Sequence, residues 1–204
     1  MIVHLIRHGQ TNGNVDGFHQ GWGDSHLTEK GQKQAEAARI LVSEIKYDRI
    51  ICSDLLRTRQ TCNIIFGDAK NIEYDARLRE INNSVFHGQY RKDLIVKYGN
   101  EYVENCRLMN YASYGGESSD SLLARTRLFM KDLEKDTKSN NIAVVTHGGT
   151  IRGLLCYVLD MPLYTPKIKI DNCSVTTLEY KRGEWTLIHF NNRKEIYKIY
   201  GKDI

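Results

Sequence analysis

The chain has 204 residues, of which 41% are hydrophobic and 26% are charged, and its formal net charge is +4. These values are ordinary for a globular protein and exclude a collagen-like, coiled-coil or globally disordered chain. The positive charges form no long run, so we expect no nucleic-acid partner. The length suits a single domain, residues 1–204, with a sizeable core.

Five cysteines are scattered along the chain without a C-x-x-C pair, namely Cys52, Cys62, Cys106, Cys156 and Cys173. An odd number of widely spaced cysteines is typical of free thiols in a reducing compartment. No apolar run reaches the ~20 residues of a membrane helix, and the first one is too short for a signal peptide. We therefore expect a cytoplasmic protein without a membrane partner, and the sequence indicates no oligomeric state.

The first predicted element is a buried strand over residues 2–6 that ends at Arg7, His8 and Gly9. Gly9 marks a turn, which places Arg7 and His8 at the carboxyl end of the strand. Ligands of open α/β sheets bind at this edge. A histidine there can attack an electrophile, and an arginine can hold carboxylate or phosphate oxygens. Since Arg-His-Gly is common by chance, its meaning depends on partners elsewhere in the chain.

Strands and helices then alternate. Thr28 can cap a helix whose apolar positions run from Ala35 to Ile45, and a strand over residues 49–53 follows. A second helix is predicted over residues 55–66, with Ser53 or Asp54 as its cap. This alternation predicts a three-layer α/β/α fold with a mostly parallel central sheet and helices on both faces.

The regular pattern weakens at about residues 82–119, where tyrosines mix with polar residues and with the pair Gly115-Gly116. We interpret these residues, called the lid segment below, as a short, partly helical insertion over the sheet edge. A plain surface excursion is the alternative. Regular elements then return: a helix capped within residues 119–121, a strand over 142–146, a helix over 151–159, and a hairpin of strands 174–180 and 185–190.

Two predicted strands end in a histidine followed by glycine, at His8-Gly9 and at His147-Gly148-Gly149. If both strands are central in one parallel sheet, the two imidazoles meet at the same edge. The strand over residues 49–53 delivers Arg57 to this edge in the first turn of the following helix. Because helix N-termini also favour anions, these residues together indicate a phosphate site. Elsewhere, His4 and His189 lie within strand patterns and are predicted to be structural.

Four motifs support this interpretation because they occur in a fixed order. They are Arg7-His8-Gly9-x-Thr11-x-x-Asn14, Ser53-x-Leu55-x-Arg57-x-x-Gln60-Thr61, Leu78-Arg79-Glu80 and Thr146-His147-Gly148-Gly149. Together they resemble the histidine phosphatase superfamily, the phosphoglycerate-mutase-like proteins. The resemblance runs from Ile2 to about Arg152.

The resemblance implies roles for single residues. His8 would attack phosphorus and carry the phosphoryl group, and Glu80 would be the general acid and base. Arg7, Arg57 and His147 would surround the phosphoryl oxygens. Further contacts to phosphate or substrate would come from Asn14, Gln20, Gly21 and Gly148. No metal or other cofactor is then expected, and His19 and His26 lack the spacing of metal ligands.

The lid segment departs from the family pattern. His87 stands where a glutamate is usual, either at the pocket rim or simply exposed. Mutases of the family carry two adjacent arginines after a Lys-Tyr-Gly-like segment, and no such pair follows Lys97-Tyr98-Gly99. We therefore predict a phosphatase acting on a small phosphorylated metabolite, with a phosphoglycerate mutase and a catalytically silent binding module as alternatives. Sugar phosphates, phosphoglycerate-like acids, nucleotides and α-ribazole phosphate all remain open as substrates.

Overall fold

A single six-stranded sheet organises the protein. The computed structural model describes residues 1–67, 69, 71–163 and 168–200. The strands are β1 (Ile2–Arg7), β2 (Arg49–Cys52), β3 (Ile72–Tyr74), β4 (Asn141–Thr146), β5 (Val175–Lys181) and β6 (Glu184–Asn192). Their order across the sheet is β3-β2-β4-β1-β5-β6. The first four in this order are parallel, while β5 pairs antiparallel with β1, and β6 with β5.

Helices cover both faces of the sheet. They are α1 (Asn12–Asp16), α2 (Glu29–Val42), α3 (Leu56–Phe66), α4 (Arg91–Leu108), α5 (Ser119–Glu134), α6 (Gly148–Val158) and α7 (Lys194–Tyr200), with short 3-10 turns at Ala76–Leu78, Ser84–Phe86 and Ala112–Tyr114. The period of two in β1 decides which face each side chain joins. Val3 and Leu5 pack with α5 and α6, whereas Ile6 packs with α2 and α3. The predicted three-layer α/β/α fold is confirmed.

Some local details differ from the sequence predictions. The cap of α5 is Ser118, whose hydroxyl accepts the Ser121 N–H, so the cap lies one residue before the predicted range. The α3 helix begins after Leu55 with no side-chain cap at all, because Ser53 lies outside the helix and bonds to His147. The short strand β3 and the terminal helix α7 had no clear pattern and were missed. Within the described chain, no helix is long and apolar enough to cross a membrane.

The lid segment packs as a small core of its own. Phe86 is fully buried against Tyr102, Tyr111 and other rings, and this cluster extends to Leu122 of α5. Edge-to-face ring pairs of this kind add to the stability that burial supplies. The lid segment is thereby fastened above the carboxyl ends of β1 and β4.

His4 and His189 take different positions in their strands. His4 is buried, and its ring packs edge-on against Tyr47 with centroids 5.6 Å apart, as a structural histidine would. His189 lies on the exposed part of β6. Neither contributes to the cavity described below.

The loop after β1 crosses the start of α2 at two glycines. A Cβ atom at Gly31 would lie 2.0 Å from the carbonyl oxygen of Gln10, and one at Gly9 would lie 2.4 Å from the carbonyl oxygen of Gly31. Backbone meets backbone at this crossing, so no side-chain movement can relieve such a contact. The crossing fixes the path of the chain on the carboxyl side of His8.

We predict that Gly31→Ala lowers the free energy of unfolding by about 1–3 kcal/mol, because the added methyl group overpacks the crossing. Urea denaturation followed by circular dichroism measures this. The neighbouring exposed substitution Gln32→Ala is the control and should stay within about 0.5 kcal/mol of wild type. An unchanged denaturation midpoint for Gly31→Ala would show that the crossing tolerates a side chain.

Candidate active site

The carboxyl ends of β1 and β4 bring two histidines together. The two strands are parallel neighbours, with Arg7 opposite Thr146 in the register, so His8 and His147 leave the sheet side by side. Their ring centroids are 5.2 Å apart, and both side chains are buried. This confirms the expected meeting of the two imidazoles at one edge of the sheet.

His8 is held with one ring nitrogen ready to act as an acceptor. Its Nδ1 lies 2.8 Å from the carbonyl oxygen of Gly9, to which Nδ1–H donates, so the neutral ring keeps its lone pair on Nε2. Burial lowers the pKa of His8 well below its ordinary value, and the charges of Arg57 and Arg7 lower it further. The ring is therefore neutral at pH values near 7, as a nitrogen nucleophile must be.

Two buried guanidinium groups flank His8. Arg7 donates from Nη1 to the carbonyl oxygen of Ile170 at 2.6 Å, while its Nε is buried with no hydrogen-bond partner among the described residues. Arg57 donates from Nη2 to the Gly21 carbonyl at 2.8 Å and from Nη1 to the Gly23 carbonyl at 3.1 Å. Burial lowers the pKa of each arginine to about 10, so both stay charged at neutral pH. Two cations at this edge form a candidate site for an anion.

His147 lies behind this anion site. Its Nδ1 accepts a hydrogen bond from Arg57 Nε at 3.2 Å, and its Nε2 lies 2.8 Å from the Ser53 hydroxyl. Burial and then the charge of Arg57 lower the pKa of His147 well below its ordinary value. In this geometry His147 orients Arg57 and is absent from the cavity wall. Its direct contact with a phosphoryl group stays a prediction.

The Glu80 carboxyl group lies against the N-terminal end of α6. Its Oε2 accepts the Gly149 N–H at 3.1 Å, and its Oε1 accepts the Ile81 N–H at 3.0 Å. The neighbouring Arg79 turns away and pairs with Asp54 through two bonds of 2.7 and 2.5 Å. One carboxyl group therefore faces the cavity beside the two arginines.

The backbone that carries Glu80 is fixed at three successive carbonyl groups. Hydroxyl groups of α6 and β4 donate to two of them, Thr146 to Leu78 at 2.7 Å and Thr150 to Arg79 at 2.6 Å. The Glu80 carbonyl accepts from Trp22 Nε1 at 2.7 Å and from Arg125 Nη2 at 3.2 Å. Sequence reasoning missed these supports, because donors that are distant in sequence leave no local pattern.

The predicted contact residues all lie on the cavity wall. Asn14, Gln20, Gly21 and Gly148 line it together with His8. The Asn14 side-chain oxygen accepts from the Thr11 N–H at 3.1 Å, and Gln20 accepts from the Thr11 hydroxyl at 2.9 Å. Gly148 is the first residue of α6, so its N–H has no acceptor within the helix.

The cavity has a volume of about 570 Å³, which suits a small organic phosphate. The rest of its wall, called the outer wall below, includes residues of the lid segment and α6 that sequence reasoning did not single out for the site, among them Arg91, Ile95, Val103, Met109 and Arg152. Two of the lid tyrosines, Tyr102 and Tyr111, also face it. His87 is exposed, bonds to the Gln20 carbonyl at 2.9 Å and is absent from the wall.

The sequence matches the family model described as "Histidine phosphatase superfamily (branch 1)" over residues 3–193. The chain belongs to the histidine phosphatase superfamily. It is 32% identical over 191 residues to the probable phosphoglycerate mutase GpmB of Escherichia coli, covering 90% of this chain and 86% of that protein.

Solved structures of the superfamily share the fold. The α-ribazole phosphatase from Shigella flexneri superposes with a TM-score of 0.87 at 25% identity, covering 95% of this chain and 97% of that chain. A mycobacterial glucosyl-3-phosphoglycerate phosphatase superposes with a TM-score of 0.83 at 27% identity, covering 93% of this chain and 98% of that chain. The likeness thus extends over nearly the whole histidine phosphatase domain.

The described residues of this superfamily member contain no cluster of histidine, cysteine, aspartate and glutamate side chains that could hold a metal ion. His19, one of the histidines considered as a ligand, is occupied otherwise. Its Nδ1 accepts from the Asn83 amide at 2.8 Å, and its Nε2 bonds to the Tyr102 hydroxyl. His19 thereby joins the loop between α1 and α2 to the lid segment.

We predict that Gly149→Ala lowers kcat at least tenfold, because its Cβ would lie 2.2 Å from Glu80 Oε1 and would displace the carboxyl group. Steady-state kinetics with an alkyl phosphate measures this. The double variant Glu80→Gln/Gly149→Ala should be no slower than Glu80→Gln alone, since both changes remove one function. Multiplying effects in the double variant would contradict this assignment.

A second prediction concerns acid stability. Burial, followed by the charge of Arg91, lowers the pKa of His19 from 6.5 to about 4. Between these values the unfolded chain binds the extra proton, so stability falls as the pH falls, by up to ~1.4 kcal/mol per pH unit. The free energy of unfolding of His19→Gln, measured by urea denaturation, should therefore fall less steeply than that of wild type. The exposed substitution Gln32→Ala, which removes no titratable group, should keep the wild-type slope, and parallel curves for wild type and His19→Gln would contradict the prediction.

Proposed function

We propose that the protein is a metal-independent phosphatase that hydrolyses a small phosphorylated metabolite through a phosphohistidine on His8. One observation carries this proposal. The neutral His8 ring, fixed by its bond to the Gly9 carbonyl, presents Nε2 in a cavity walled by the charged Arg7 and Arg57. A lone-pair nucleophile between two cations suits attack on a phosphoryl group, whose charge the cations stabilise.

The first step transfers the phosphoryl group to the protein. With the phosphate oxygens held by Arg7, Arg57 and the Gly148 N–H, His8 Nε2 attacks phosphorus and the ester P–O bond breaks on the opposite side. Protonated Glu80 gives its proton to the leaving oxygen, so an alcohol departs and a carboxylate stays. The guanidinium groups of Arg7 and Arg57 stay in place during this step, because hydrogen bonds to backbone carbonyl groups and to His147 hold them.

The second step returns the protein to its starting state. Water takes the place of the alcohol, Glu80 accepts one of its protons, and the oxygen attacks phosphorus. The P–N bond to His8 breaks and inorganic phosphate leaves. Glu80 is again protonated and His8 again neutral, so protons and phosphoryl groups balance over the cycle.

Mutase activity is the second candidate, because GpmB, 32% identical to this chain, is named a probable phosphoglycerate mutase. Hydrolysis is favoured because the adjacent arginine pair expected of a mutase is missing after Lys97-Tyr98-Gly99. Arg107 follows there alone, and its Nε bonds to Glu104 at 2.7 Å. The two structural neighbours described above are named phosphatases. Comparing isomer formation with phosphate release from 3-phosphoglycerate separates the two activities.

A silent binding module is disfavoured because the nucleophile, the acid and both arginines are all present.

We also place the protein in the cytoplasm. Its five cysteines are free thiols, four of them buried, which suits a reducing compartment.

We predict a burst when Glu80→Gln hydrolyses p-nitrophenyl phosphate. The nitrophenolate leaves without a proton, so phosphorylation of His8 stays fast, whereas water attack loses its base. Rapid mixing should release one nitrophenolate per protein before a slow steady state. His8→Ala should show no burst and lose at least ~1000-fold in kcat.

The exposed substitution His26→Ala serves as the histidine control and should retain wild-type kinetics. Wild-type activity should also persist in a chelator such as EDTA. Activity retained by His8→Ala would remove the phosphohistidine from the mechanism, and loss of activity in EDTA would reassign the chemistry to a metal.

A further inference from the structure

The cavity carries more positive charge than one phosphoryl group requires. Five arginines line it, namely Arg7, Arg57, Arg91, Arg107 and Arg152. Within the described part of the chain, Glu80 is the one acidic side chain on its wall. In the proposed mechanism Arg7 and Arg57 bind the phosphoryl group that is transferred. The presence of the other three arginines, Arg91, Arg107 and Arg152, on the cavity wall needs another explanation.

Arg152 lies on the Glu80 side of the inner site. Its Nε donates to the Ile168 carbonyl at 2.8 Å, whereas its two terminal nitrogens have no hydrogen-bond partner among the described residues. Burial lowers the pKa of Arg152 and the charge of Glu80 raises it, while Arg152 in turn lowers the pKa of Arg7. The guanidinium group is thus held by one nitrogen, close to both Glu80 and Arg7. In the proposed mechanism Glu80 protonates the leaving oxygen, so Arg152 would lie beside the leaving group.

Arg91 lines the cavity from the lid segment. It is the first residue of α4 and is anchored through its backbone, whose N–H donates to the Gly17 carbonyl at 3.0 Å. It lines the cavity together with His19, Tyr102 and Tyr111. Across residues 1–67, 69, 71–163 and 168–200, no hydrogen bond or ion pair engages its guanidinium group. Arg107, in contrast, already has a partner in Glu104.

We propose that the substrate carries a second anionic group, a carboxylate or a second phosphate, on the part of the molecule released as alcohol, and that Arg152 and Arg91 bind it. This inference rests on the proposed phosphatase function and defines its substrate class. Arginine forks match both kinds of oxyanion. The same cavity wall includes the apolar side chains of Ile81, Ile95 and Met109, which suit a short carbon skeleton.

A purely structural role for Arg152 makes a different prediction. If the side chain only anchors Ile168, its loss should affect every substrate alike. If it binds a second anion, its loss should affect only substrates that carry one. Matched substrate pairs that differ in this group therefore separate the two roles.

The test compares kcat/KM within two pairs, one for each anion. The carboxylate pair is 3-phosphoglycerate and glycerol 3-phosphate, and the phosphate pair is fructose 1,6-bisphosphate and fructose 6-phosphate. We expect wild type to prefer the second anion at least tenfold in one pair, because hydrogen bonds to charged groups are strong. Arg152→Gln should reduce that preference about tenfold, and Arg91→Gln by a smaller factor of about three because Arg91 is more exposed. Arg39→Gln, an exposed charge removal on α2, should leave it unchanged.

Calorimetric binding of the same pairs to His8→Ala keeps this inference separate from the phosphatase proposal. A binding preference that depends on Arg152, without turnover of any phosphomonoester by wild type, would retain the anion site and overturn the phosphatase. Turnover with equal kcat/KM within both pairs would retain the phosphatase and overturn the anion site. A preference that survives in both Arg152→Gln and Arg91→Gln would also overturn the assignment.

Discussion

The burial of two arginine side chains beside one histidine is the constraint on which the rest of the structure depends. Removing a charged group from water costs several kcal/mol unless polar partners replace the lost hydration. Arg7 and Arg57 find such partners in the carbonyl groups of Ile170, Gly21 and Gly23 and in His147, and the described residues place no carboxylate in an ion pair with either. An anion bound between them would complete the compensation. The loops before α2 and before β5 supply these carbonyl groups. Their conformation therefore depends on the need to provide polar partners for the two buried arginines.

Sequence patterns predicted the inner half of the site well and the outer half poorly. His8 and His147 could be placed because both follow apolar strands, and parallel neighbours bring their carboxyl ends together. Glu80 emerged only from the family resemblance, since no local period marks it. Arg152 did leave a signal, because it lies four residues after Gly148 and so on the same face of one helix. Arg91 left none, as its place in the cavity depends on how the lid segment packs.

The site has two parts, the reacting residues at the sheet edge and an outer wall formed by the lid segment. This separation allows one fold to accept different phosphomonoesters. His8 and its two arginines are fixed by the strands and by the backbone carbonyl groups to which they bond. The outer wall comes instead from a segment with a small core of its own, centred on Phe86. The two parts are joined by contacts such as that of His19 with Tyr102, and changes elsewhere in the lid segment can alter the substrate without disturbing the chemistry.

The central claim is that phosphorus passes through a covalent bond to His8, and the stereochemistry at phosphorus tests it most directly. The measurement follows the configuration when a thiophosphate monoester, chiral through its oxygen isotopes, is hydrolysed in isotopically labelled water. Two successive in-line displacements, first by His8 and then by water, invert the configuration twice. The account therefore predicts overall retention. Overall inversion would show a single direct attack by water and would contradict it.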